Sequence, residues 1–225
     1  MGTDLPPSKV IDFIIGDFEA AWNGLAADPV SGNRGNFLFA LQAVVLVEVA
    51  SRLCASDPTG AALRDLSAEL EARDPRYFTA LPGACTGGSS SEFALPSSGA
   101  NPSAQLLAAL FDLVRNGQAH QYQQIRVRLS DGIDFQVALT GAEHGLFLDK
   151  TQARTGHLVK SRDQNKDLWL KVRTDILFVD VRDSIRAANL LGRGLSIANL
   201  VRPRGNGTYQ FSSAQLEQAL VTGGM

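Results

Sequence analysis

The sequence predicts a mainly helical α+β fold, an antiparallel helical bundle with a small antiparallel sheet inserted before its last long helix. Three observations predict it. Apolar residues recur at helical spacing from Ile11 to Leu53, the period changes to two after Tyr122, and helical spacing returns at Thr174. Runs of helices around one local block of strands indicate α+β rather than alternating α/β.

The first helix opens at Pro6-Pro7-Ser8 and carries Ile11, Ile14, Ile15, Phe18, Trp22 and Leu25 on one face. Asp28-Pro29 and Ser31-Gly32-Asn33 make a turn, and a second helix starts near Asn36. Its apolar residues run nearly all the way round, from Phe37 and Leu38 through Val44, Leu46 and Val47 to Leu53. Such a helix is either central in a bundle or covered by a partner. Two helices joined by a short turn form an antiparallel hairpin. Asp57-Pro58-Thr59 caps a shorter helix with Leu63, Leu66 and Leu70 as its stripe, ended by Asp74-Pro75.

Residues 82–102 are rich in Gly, Ser and Pro and read as a flexible loop. Asn101-Pro102 then provides an N-cap and first helical position for a third main helix, with Leu106, Leu110, Leu113 and Gly117 along its buried stripe. Beyond Tyr122, Ile125, Val127 and Leu129 alternate with polar residues. Asp131-Gly132 reads as a two-residue hairpin turn, and Ile133, Phe135, Val137 and Leu139 continue the alternation. Further strands are expected at 145–148 and 168–172, so the β insertion covers 124–172. Thr174-Asp175 starts the last long helix, with Leu177, Val181, Ile185 and Ala188 in register, and Ser212 or Ser213 caps a short final one.

A formal charge of -2 and a pI near 5.9 exclude a global field that attracts nucleic acid, so any such binding needs a local patch. DNA is not an expected partner. Cys54 and Cys85 stand singly, without metal-ligand spacing, and read as free thiols. The start of the chain lacks a basic leader region, and the apolar run 37–50 falls short of the roughly 18 residues of a span, so a cytoplasmic protein without membrane partners is expected. No P-loop, dinucleotide fingerprint or serine elbow occurs, and no cofactor or metal is expected.

The stretch with most chemistry ends the third helix: Arg115-Asn116-Gly117-Gln118-Ala119-His120. An imidazole near its ordinary pKa can take or give a proton at neutral pH, and a guanidinium forks onto a phosphate. Residues five apart lie about 140° apart on an ideal helix, so Arg115 and His120 do not converge by themselves. Arg and His at a helix end also suit the macrodipole without any catalysis.

An arginine, an adjacent polar residue and a histidine four to six residues on resemble the diagnostic motif of the HEPN superfamily, helical bundles that include many metal-independent ribonucleases. The resemblance covers the first helix pair, the motif helix and the helix from Thr174, and not the sheet. It implies a single HEPN-like domain over 1–225 and a homodimer in which two motifs face each other. Arg115 and His120 would then be catalytic with Asn116 assisting, acting on RNA by 2′-hydroxyl attack. It also admits a non-catalytic module that binds RNA, a nucleotide or a protein. A structural or regulatory protein that dimerises through the second helix is the reading outside the family. Arg126 and Arg128 on the hairpin, with the basic run Arg154, His157, Lys160, Arg162, Lys166, Lys171 and Arg173, are candidate phosphate contacts. Glu48, on the apolar second helix, needs a partner: Arg52 one turn on, or Arg115.

Overall fold

The computed structural model describes residues 6–24, 36–54, 56–78, 106–107, 126–128, 134–140, 154, 156–162, 164 and 168–196. The expected loop 82–102, the strand at 145–148 and the helix after Ser212 lie outside them. Helices and sheet share one hydrophobic core, and the fold is α+β.

Helix α1 (Pro7–Gly24) buries Ile11, Ile15, Phe18 and Trp22, a stripe at the spacing that brings side chains onto one face. Helix α2 (Asn36–Cys54) buries Phe39, Ala43, Val44, Leu46, Val47, Ala50 and Leu53. It packs against α1, against the helices described next, and against the sheet, which is why its apolar residues surround it. Helix α3 (Ala61–Arg73) starts where Asp57 accepts the backbone N–H of Ala62 (2.8 Å) and of Thr59 (2.9 Å). These donors hold the Asp57 carboxyl down to about 2, the Ala62 amide having the largest effect. A 3-10 turn, Pro75–Phe78, follows.

Helix α4 (Thr174–Ala187) is the middle of the molecule. Every residue from Thr174 to Ile185 is buried except Arg182. Its sequence reads as amphipathic, with Asp175, Asp180, Arg182 and Asp183 on the polar side, yet both sides are covered. The polar side is buried because it is paired: Asp175 with Arg173, Asp180 with Arg154, and Asp183 with Arg182 and Arg73. On the apolar side Phe178 stacks on Phe18 of α1 (centroids 3.5 Å, planes 8° apart), and Phe18 meets Phe39 of α2 at 5.2 Å.

The sheet departs from the expected antiparallel one. Its strands, β1 (Arg126–Arg128), β2 (Asp134–Thr140), β3 (Val159–Arg162) and β4 (Leu168–Arg173), lie in the order β1-β2-β4-β3. β1/β2 and β3/β4 are antiparallel, but β2 and β4 at the centre are parallel. Between β2 and β4 the chain has to return across the sheet, and it adds β3 at the far edge on the way. β3 is missing from the period-two reading because Val159 is its sole apolar residue, and an edge strand needs little more than backbone pairing.

The hairpin register also differs from a two-residue turn at Asp131-Gly132. Val127 stands opposite Phe135 and Arg128 opposite Asp134, which requires an odd number of residues in the connection. A two-residue turn would set Val127 against Gln136. The apolar positions of both strands are odd-numbered, so only an odd-membered connection puts them on one face. On that face Val137, Leu170 and Val172 join the helical core.

Candidate functional site

Arg115, Asn116 and His120 lie outside the described residues. The flanking chain is described: Leu106 and Leu107 are helical and buried in the common core, and β1 is held in register by β2. The motif thus falls between two anchored segments. Arg126 and Arg128 occupy β1 positions opposite Gln136 and Asp134. Glu48 accepts from Arg52 one turn along α2, and the other partner considered, Arg115, lies outside the described residues.

A second constellation was not foreseen. Asp74 and Tyr77 around the 3-10 turn, Arg154 and His157 ahead of β3, and Asp180 at the centre of α4 form a buried polar network. The Arg173 backbone N–H, at the junction of β4 and α4, donates to His157 Nδ1 (3.2 Å). Nδ1 is therefore the acceptor, and neutral His157 carries its proton on Nε2. Nε2–H donates to Tyr77 Oη (2.8 Å), and the Tyr77 hydroxyl donates to Asp180 Oδ2 (2.8 Å). Arg154 donates to both carboxylate oxygens of Asp180, and reaches Asp74 Oδ2 at 3.4 Å. Arg76 forks onto Asp74 at 2.8 and 2.7 Å, and its other nitrogen donates to the His157 carbonyl at 3.0 Å. The donors run in one consistent direction: the guanidiniums of Arg76 and Arg154 only donate, the Asp74 and Asp180 carboxylates only accept, and His157 and Tyr77 do both.

The turn that delivers His157 is tight. Gly156 has φ 80° and Leu158 φ 52°, the left-handed region where a branched side chain is strained by about 1 kcal/mol or more. Leu158 tolerates it because its side chain is buried in the core. Burial pushes the His157 imidazole down to about 3, and Arg154, Arg76 and Arg173 add to this against the opposing charge of Asp74. Burial, then the charge and hydrogen bond of Asp180, push the Tyr77 hydroxyl well up. Burial opposes ionisation of Asp74, but the Arg76 guanidinium and amide outweigh it and hold that carboxyl down. Cys54 is a free thiol pushed up to about 12 by burial.

Neither His157 nor Tyr77 changes protonation near neutrality, so this network is a clamp, not an acid–base pair. It ties together segments up to 103 residues apart in the chain. Its pH signature follows from the direction of the shift. The folded-state His157 pKa lies below the unfolded value of about 6.5, so the unfolded chain binds a proton first as pH falls. Stability is complete above about pH 6.5 and falls toward pH 3, by up to about 1.4 kcal/mol per unit. The depressed carboxyls of Asp57 and Asp74 contribute only below about pH 4. Urea midpoints at pH 7, 6 and 5 should therefore decline in the wild type and stay flatter in His157→Gln; equal slopes would contradict a buried neutral imidazole.

Among the described residues no three His, Cys, Asp or Glu group together as a metal site, and no helix is long and apolar enough to cross a membrane. Comparison with family models, with curated proteins and with solved structures finds no match.

Proposed function

We propose that the chain is a HEPN-like, metal-independent endoribonuclease whose site is completed by a second copy of itself. The observation that carries the reading is the sequence Arg115-Asn116 followed by His120, a few residues beyond Leu106 and Leu107, which are helical and buried in the core. The packing of α1 and α2 with each other and with α4 supports it, as these are the helices the resemblance involves. So does the commitment of His157 to the clamp, which leaves His120 and His144 as the histidines for proton transfer.

In this mechanism His120 takes the proton from the RNA 2′-hydroxyl as that oxygen attacks the adjacent phosphorus. Arg115 stabilises the charge gathering on the non-bridging oxygens, and Asn116 orients the site. The bond to the 5′-oxygen breaks as that oxygen takes a proton from water, leaving a 2′,3′-cyclic phosphate and a 5′-hydroxyl, and His120 returns the 2′ proton to solvent. An ideal helix would set Arg115 and His120 about 140° apart, and taking them from opposite subunits meets that angle.

Complementation tests the shared site. Arg115→Ala and His120→Ala are each expected to be inactive alone. A refolded equimolar mixture should recover about a quarter of wild-type cleavage, since half the dimers are mixed and each holds one intact site of two. No recovery from a mixture shown to contain mixed dimers would place the site within one subunit. A chain that binds RNA and cleaves none would be the non-catalytic module.

A further inference from the structure

We infer that the outward face of α1 is where a second copy of this chain docks, the two α1 helices lying antiparallel about a two-fold axis beside Phe13. At about 100° per residue Phe13 stands nearly opposite the buried stripe Ile11, Ile15, Phe18 and Trp22. It is 56% exposed, the most exposed large hydrophobic side chain among the described residues. Lys9 and Asp17, both exposed, lie four residues before and after it, about 40° to either side, and form one ridge with it. Gly16 and Ala20 complete the face; both are exposed, and a Cβ on Gly16 would meet nothing within 4 Å.

A lone exposed aromatic needs no partner. The symmetry of its flanks is what points to a second copy. A two-fold axis at residue 13 sets position 9 of one helix level with position 17 of the other, because each is about 6 Å along the helix from the centre. Lys9 of each copy then faces Asp17 of the other, and two equivalent ion pairs flank the contact between the two Phe13 rings. The same operation sets Val10, half-buried, against Gly16, whose missing side chain leaves room for the rings. A parallel pair would instead set Lys9 against Lys9 and Asp17 against Asp17. Within one copy neither charge is committed: among the described residues the Lys9 and Asp17 side chains form no ion pair or hydrogen bond. The apolar helix α2, by contrast, is covered by α1, α4 and the sheet of its own copy. One helix pair is at the small end of specific interfaces, so a reversible, concentration-dependent dimer is expected.

The inference goes beyond the ribonuclease reading, which calls for a second copy without saying where the copies meet. Sedimentation equilibrium of the full chain at low salt, from micromolar to near-millimolar concentration, tests it. Wild type should dimerise, and Phe13→Asp should weaken the dimer roughly tenfold or more with an unchanged helical circular-dichroism spectrum. Lys9→Glu and Asp17→Lys each bring like charges together twice per dimer and should each weaken self-association roughly tenfold. An equimolar mixture of these two variants should dimerise better than either alone, because the mixed pair has one native ion pair and one with its signs exchanged. A wild-type chain that stays monomeric throughout, or a dimer unmoved by Phe13→Asp, overturns the surface. A mixture no more dimeric than its components overturns the antiparallel arrangement. Cleavage that fails while the dimer forms removes the His120 chemistry and leaves this surface; a dimer indifferent to residue 13 removes this surface and leaves the shared site.

Discussion

Arg154→Ala is expected to lower the unfolding free energy by about 3–5 kcal/mol, read from urea or thermal unfolding. Arg154 supplies the only cation paired with Asp180 among the described residues, and that carboxylate is 1% exposed. Without the guanidinium, Asp180 keeps the Tyr77 hydroxyl and little else. The arginine itself is 37% exposed, so the loss comes from the stranded carboxylate and not from any cost of dehydrating the cation. The double variant with Asp180→Asn discriminates. It removes the stranded charge and keeps an acceptor for Tyr77, so it should be more stable than Arg154→Ala alone. A double variant that is less stable than the single one, or an Arg154→Ala loss under 1 kcal/mol, would contradict the clamp.

The helices were legible because their signals are local. Ile11, Ile15, Phe18 and Trp22 declare one face of α1, Asp57 declares the start of α3, and Asp74-Pro75 its end. Thr174-Asp175 marks the start of α4 as expected. The sheet was half legible. Period-two alternation located β1 and β2 and a short apolar stretch located β4, but the parallel pairing of β2 with β4 depends on the path of the intervening chain, which no local pattern encodes. The odd-membered hairpin could have been read, because apolar positions of the same parity on both strands demand it.

The clamp was illegible for a different reason. Tyr77 is 80 residues from His157 and 103 from Asp180, and each alone looks ordinary: an aromatic after a helix stop, a histidine in a basic run, an aspartate on a helix's polar side. Their meeting is a product of tertiary packing. It also changes the reading of the basic run. Arg154 and Arg173 are held by Asp180 and Asp175, which leaves exposed Lys160 and Lys171 as free-standing surface charge in that run among the described residues. The catalytic proposal is the reverse case, a purely local signal: Arg115-Asn116 and His120 lie within six residues, and their weight comes from the helices around them.

The largest effect is expected at His120. A positioned acid–base group contributes about 10²- to 10⁴-fold to proton transfer, so His120→Ala should lose that much of the cleavage rate. His157→Gln, whose target is buried and neutral, should keep it. The decisive measurement is cleavage of single-stranded RNA in EDTA by wild type and His120→Ala, with the end groups identified. The account predicts wild-type cleavage to 2′,3′-cyclic phosphate and 5′-hydroxyl ends, and a loss of at least about a hundredfold in His120→Ala. Cleavage by His120→Ala at the wild-type rate, or wild-type activity abolished by EDTA, would contradict it.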